Sequence, residues 1–247
     1  MLSCSQSFAI RLIKVTQSAS EFVLDQHEVH IWHTSVVISA EQEKALLLSL
    51  SADEVARADR FRFPIHRQRF IAARGILRQM LACYLNVEAS ELSFDYSPRG
   101  KPSLSGQPLQ FNVSHSHDMA VYAFTLHQPI GVDIEKTQAT YDDAVAGRFF
   151  SEKEYAALSA LPSAARALCF YRIWARKEAL IKVSGEGFAF ALSSFTVPTV
   201  DSLDGLTVDF DGESGWLLRS FVAHPDYQSA FAMQRECERV LIREWCW

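Results

Sequence analysis

At 247 residues, with 49% hydrophobic and 21% charged residues and a formal net charge of -5, the chain has the makeup of a soluble globular protein. No apolar run approaches the roughly 18 residues a membrane helix needs, so no membrane association is expected. The N-terminus lacks the basic start and long apolar core of a secretory signal. Five scattered cysteines without a C-x-x-C pair argue against a disulfide framework and a zinc site, so a reducing, cytoplasmic setting is expected.

Residues 1–27 read as an N-terminal extension in which only Phe8 to Ile13 suggests a strand. Val29 to Val37 is a clearer strand. His27, His30 and His33 recur within this region, but strand geometry puts neighbours at that spacing on opposite faces, which predicts partly exposed imidazoles rather than a metal site. An amphipathic helix is expected over Ser39 to Leu50. Ser51-Ala-Asp-Glu54 then has the form of a helix capping box. A longer helix follows from about Arg67 to Tyr84, with an apolar stripe that includes Phe70, Ile71, Leu77 and Leu81, and Asn86 as its stop. Arg57, Arg60, Arg62, Arg67, Arg69, Arg74 and Arg78 crowd this segment of an otherwise acidic chain. Such a local stripe suits one specific anion better than general nucleic-acid binding, which more usually comes with a basic domain.

Leu92 to Tyr96 alternates as a strand, residues 97–102 are dense in turn formers, and Phe111 to Ser116 leads into a strand over Ala120 to Leu126. In Ile130-Gly-Val-Asp-Ile-Glu135, apolar residues alternate with two carboxylates, so Asp133 and Glu135 share one strand face, roughly 7 Å apart. Hard oxygen ligands so placed suit Mg²⁺. A second capping box, Ser151 to Glu154, precedes a second long helix on which Trp174, Glu178 and Lys182 fall on one face. Short strands are expected at Phe195 to Val197, Leu206 to Phe210, Trp216 to Phe221 and Ala230 to Met233.

Strand, capping box, long helix and strand in the same order twice predict a pseudo-twofold α/β (α+β) fold. Each half would be a small, mainly antiparallel sheet packed on a long helix. The expected units are the extension 1–27, an N-terminal half 28–128 and a C-terminal half 129–247, with the active site in the cleft between halves. Two further segments carry chemistry. Gly100-Lys101-Pro102 presents a lysine at a turn but is not a Walker A loop. Ser114 and His115 are adjacent on a strand and point to opposite faces, so phosphate contacts are more sensible for them than a nucleophile–base pair.

Gly131-Val-Asp-Ile-Glu135 followed by Trp174-Ala-Arg-Lys-Glu178-Ala-Leu-Ile-Lys182 resembles the paired signature of the Sfp-type 4′-phosphopantetheinyl transferases. Gly100-Lys-Pro102, Phe111 to Ser116, Pro129 to Lys136, Arg148 to Tyr155 and Ser194-Phe195 follow the same family order. The resemblance covers residues 28 to 235. It implies an Mg²⁺-dependent, monomeric enzyme that moves phosphopantetheine from coenzyme A to a serine of an apo acyl carrier protein or peptidyl carrier domain. It further implies Asp133, Glu135 and Glu178 as metal ligands, and Lys182 on the pyrophosphate. Lys101, Ser114 and His115 would contact the coenzyme A phosphates, and Arg57 and Arg69 the nucleotide end. Glu178 is the first candidate for the general base and Glu154 the second. Glu54 and Phe70 depart from the family pattern at the nucleotide end. Two rival functions follow from the residues alone: a nucleic-acid-binding module using the arginine stripe, and a metal nuclease using the carboxylates and lysine. The first is opposed by the negative net charge, the second by a helical Glu178–Lys182 pair where a strand with a two-residue offset is needed.

Overall fold

The computed structural model describes residues 11–14, 19–185, 191–234 and 237–246. The N-terminal part contains β1 (Arg11–Lys14), β2 (Glu28–Ser35), α1 (Ala40–Leu47), α2 (Ala52–Ala58), α3 (Pro64–Leu85), the two-residue strands β3 (Asp95–Tyr96) and β4 (Pro102–Ser103), β5 (Leu109–Ser116) and β6 (Met119–Leu126). The rest contains β7 (Ile130–Lys136), α4 (Asp143–Phe149), α5 (Glu152–Ala160), α6 (Ser163–Ser184), β8 (Leu206–Phe210), β9 (Glu213–Phe221), β10 (Tyr227–Met233) and β11 (Arg239–Glu244). Local chemistry sets many of these limits. Ser39 and Gln42 exchange hydrogen bonds to start α1, and Ser151 and Glu154 do the same for α5. Pro64 opens α3, where its missing N–H costs nothing. Asn86 closes α3 and Gly185 closes α6, both in the left-handed region with φ of 54° and 75°.

A five-stranded sheet runs β1-β11-β2-β6-β5 and a four-stranded sheet β7-β10-β9-β8. Within each half the first strand pairs antiparallel with the last, and the last with the one before it: β2-β6-β5 in one, β7-β10-β9 in the other. Alternation then dictates the layers. Trp32, Tyr122 and Phe124 pack with Ile71, Ile76 and Leu81 of α3. The opposite faces of both sheets meet through Val29, Ile31, Val121, Val132, Ile134 and Phe231. Leu218, Ala230 and Ala232 pack with Ile173 and Leu180 of α6. Each long helix thus covers the outer face of its own sheet, and the inner faces share a core.

Several expectations need correction. Only Asp95–Tyr96 of the strand expected at 92–96 forms, Phe195 to Val197 follows a short 3-10 turn instead of forming a strand, and α3 begins at Pro64. The strand expected at Phe8 to Ile13 falls partly outside the described residues; β1 covers its end. The C-terminal strand β11 joins the first sheet, parallel to β2. This addition also makes β2 an interior strand. His30 and His33 are consequently buried, not partly exposed. Phe22 stacks on Trp32 at 5.2 Å and meets Tyr84 and Trp245 edge-on.

Candidate active site

The two sheets abut where their edge strands β5 and β7 run side by side. Side chains on one face of β5 bridge the seam in register. The Val132 N–H donates to Asn112 Oδ1 at 2.9 Å, the Ser114 hydroxyl to Asp133 Oδ1 at 2.7 Å, and the Ser116 hydroxyl to Glu135 Oε2 at 2.9 Å. Ser114 and Ser116 therefore point at the carboxylates, while His115, between them, faces the other way. Asn112 and Ser116 were missed in the sequence. Their every-second-residue spacing was visible, but the strand they face was not.

Helix α6 closes on this seam unusually tightly. A Cβ at Gly131 would lie 2.0 Å from Ala179 O and 2.6 Å from Val183 N, so only glycine permits the helix backbone to rest on β7. That approach brings Lys182 Nζ to 2.6 Å from Asp133 Oδ1 and 2.7 Å from Ser114 Oγ. Asp133 and Glu178 are buried, and their Oδ2 and Oε1 atoms have no hydrogen-bond partner. Burial, then the neighbouring Asp133, raises Glu135 and Glu178 to about 7. Carboxylates so crowded and so poorly solvated call for a cation. Unpaired oxygens of hard ligands fit Mg²⁺ in kind. Among the described residues no three Asp, Glu, His or Cys side chains close into a cage by themselves. A cation here would thus draw part of its coordination from water or a ligand's phosphate, as Mg²⁺ commonly does.

Beside the carboxylates lies a cavity of about 390 Å³ between the halves. Arg57, Phe70, Arg74, Lys101 and His115 line it from one half, and Glu178, Lys182 and Gly185 from the other. Lys101 Nζ donates to the carbonyls of Lys182 and Val183 at the end of α6, and burial lowers its pKa to about 8. Burial also holds His115 below its ordinary value, helped by Lys182 and Arg69. The wall is therefore cationic around a carboxylate floor, an arrangement able to take up phosphates bridged to a metal.

Two expected residues are not brought into this group. Glu154 is fully buried, pairs with Lys177 Nζ at 2.8 Å and accepts from the N–H groups of Ser151 and Val197. Its partner Lys177 is spent on Leu192 O and Phe195 O. Glu154 is a packing element of the second half, since a capping-box glutamate already has its oxygens committed. Arg69 pairs with Asp118 Oδ1 at 2.6 Å and does not line the cavity, whereas Arg57 does. Glu54, which departs from the family pattern, is turned inward to Arg78 at 2.6 Å and Arg74 at 3.4 Å.

Two edge strands bridged by serines, a glycine-seated helix and a cationic cavity over unpaired carboxylates form a candidate site suited to a phosphorylated ligand. The comparisons with known proteins give the family. Residues 129–232 match the model of the 4′-phosphopantetheinyl transferase superfamily, and residues 38–127 that of the 4′-phosphopantetheinyl transferase N-terminal region. The 4′-phosphopantetheinyl transferase HetI of Nostoc sp. is 44% identical over 167 residues, 66% of this chain and 70% of its own. The psf-1 transferase of Bacillus pumilus is 32% identical over 205 residues, 78% and 87% of the two chains. Sfp of Bacillus subtilis is 30% identical over 196 residues, 78% and 86% of the two chains. The chain belongs to the 4′-phosphopantetheinyl transferase superfamily and is a transferase enzyme.

Proposed function

We propose that the β5–β7–α6 seam is the catalytic centre of an Mg²⁺-dependent transferase. It moves phosphopantetheine from coenzyme A to a serine hydroxyl of an apo acyl carrier protein or peptidyl carrier domain, and adenosine 3′,5′-bisphosphate leaves. The observation carrying this reading is the pair of buried, unpartnered oxygens, Asp133 Oδ2 and Glu178 Oε1, beside a cavity lined by Lys101 and Lys182.

Asp133 and Glu178, with Glu135, would hold Mg²⁺, which when bound supplies positive charge to the donor's pyrophosphate oxygens. Lys182 holds Asp133 in place and presents its ammonium to the phosphate that leaves. Lys101 and His115 contact the same phosphates from the opposite wall. Ser114 serves through Asp133 and Lys182, fixing their geometry rather than meeting the donor. The carrier's serine Oγ attacks the phosphorus bearing pantetheine as the bond to the departing bisphosphate breaks, and Glu178 accepts the hydroxyl proton. Most of the rate gain comes from positioning and charge neutralisation, since the protein forms no covalent bond. Because both halves of one chain complete the site, we read the enzyme as a monomer. The scattered, odd set of cysteines supports a cytoplasmic setting. Among the described residues no helix is long and apolar enough to cross a membrane.

The purified protein, given coenzyme A, Mg²⁺ and an apo carrier protein, is expected to add one phosphopantetheine, read by mass spectrometry. Asp133→Ala and Glu178→Ala are each expected to lower the rate by about 10²–10³-fold or more with an unchanged fold by circular dichroism. Wild-type turnover by either folded variant would reject the assignment.

A further inference from the structure

Asp133 and Glu135 are fixed by different means. Asp133 Oδ1 takes both Lys182 Nζ and the Ser114 hydroxyl, and its Oδ2 is left over. Glu135 Oε2 instead takes the hydroxyl of Ser116 at 2.9 Å. Ser116 is 9% exposed, and its oxygen also accepts the Lys136 N–H at 3.2 Å. A hydroxyl has one hydrogen and two lone pairs, so one lone pair remains. His117 Nδ1 stands 3.4 Å from that oxygen, at the long end of hydrogen-bonding distance.

The backbone at His117 is the second observation. Strand β5 ends at Ser116 and β6 begins at Met119, so His117 and Asp118 alone join them. His117 has a φ of 51°, a left-handed conformation that glycine adopts freely and a side chain adopts at a steric cost. So short a hairpin turn with a positive φ ordinarily favours glycine; here the position carries an imidazole that meets Ser116. The turn is anchored on its other side, where Asp118 O accepts the Val36 N–H at 2.8 Å and the Asp118 carboxylate pairs with Arg69. Strained backbone retained beside a candidate site points to a use for the side chain it presents. We propose that Ser116 and His117 are positioning residues for Glu135. The Nδ1–H tautomer of His117 donates to Ser116 Oγ, which directs its own hydrogen to Glu135 Oε2 and leaves Oε1 for the cation. Lys182 performs the equivalent service for Asp133. The inference rests on the Mg²⁺ reading and deepens it: each carboxylate on the strand face has one oxygen held and one offered.

Mn²⁺, which takes the same hard oxygen ligands as Mg²⁺, serves as the probe. Its binding to the full chain is measured by electron paramagnetic resonance of the free ion, with saturating coenzyme A and no carrier, so that no turnover occurs. Ser116→Ala is expected to weaken Mn²⁺ binding about 10-fold or more, and Ser116→Thr, which keeps the hydroxyl, to stay within about 3-fold of wild type. His117→Gly removes the imidazole and suits the backbone, so it should weaken Mn²⁺ about 3-fold or more with a denaturation midpoint close to that of wild type. His117→Asn tolerates the left-handed conformation and can donate from the place of Nδ1, so it should restore the affinity. A merely structural role would lower the midpoint and leave the affinity alone. Equal affinity in Ser116→Ala and wild type, or in His117→Gly and His117→Asn, would overturn the proposal while leaving the metal reading intact. Should Ser116→Ala not fold, the two His117 variants decide alone. A wild type that holds no Mn²⁺ would sink the metal reading, and the proposal with it.

Discussion

The two strand–helix seams of this protein share a topology and solve opposite problems. In the first, β2 meets α3 through His30, Trp32 and Tyr84: the Trp32 Nε1–H donates to Tyr84 Oη at 2.9 Å, and Tyr84 Oη lies 2.7 Å from His30 Nδ1. Arg243 of β11 approaches the same nitrogen at 3.0 Å and lies over Trp32. Burial, then Arg243, lowers His30 to about 3, so the imidazole is neutral and the seam is filled with rings. In the second, β7 meets α6 through Gly131 and Asp133, and the helix lies against bare backbone. Burial there raises Glu135 and Glu178 instead, and part of the carboxylate surface has no protein partner. The same desolvation that keeps the imidazole neutral in one seam raises the carboxylates in the other. The two seams differ by what stands on one strand face.

The sharpest way to break this contrast is to give the second seam a side chain. Gly131→Ala must push α6 off β7, which carries Glu178 and Lys182 away from Asp133. We expect transfer to fall by about 10²-fold and stability by about 1–3 kcal/mol, measured as carrier modification and chemical denaturation. Normal activity would mean that the close approach does not position the site.

A second comparison sets Glu154 against Glu178. Glu154→Gln leaves the buried Lys177 unpaired and should cost roughly 3–5 kcal/mol of stability, whereas kcat of the folded fraction stays near wild type. A stable variant with lost kcat would return Glu154 to the chemistry. Glu54→Gln should resemble it in stability, because Arg78 is equally buried.

The third comparison concerns pH, and its effect is small at neutral pH and develops only in acid. His30 has a folded pKa below its unfolded value, so the unfolded chain binds its proton more tightly. Stability is complete above about 6.5 and is lost as pH falls toward about 3. By pH 4 the loss should reach on the order of a few kcal/mol. His30→Gln should flatten that part of the curve, read by denaturant midpoints across pH. An unaltered slope would show that the first seam does not depend on a neutral imidazole.

Much of the second seam was legible because it is written in local periodicity. Alternation put Asp133 and Glu135 on one face, i, i+4 spacing put Glu178 with Lys182, and two capping boxes marked the helix starts. What the sequence does not show are the partners distant in the chain: Lys177 and the Val197 N–H for Glu154, Asp118 for Arg69, and the strand β11 beside His30.

By itself, then, the sequence determined the elements, their apolar faces and which carboxylates and lysines could share a face, since each follows from backbone geometry over a few residues. Only the tertiary structure decided which of those groups are left without partners. Desolvation and pairing depend on what the rest of the chain packs against a residue, and that made one seam a core and the other a candidate site.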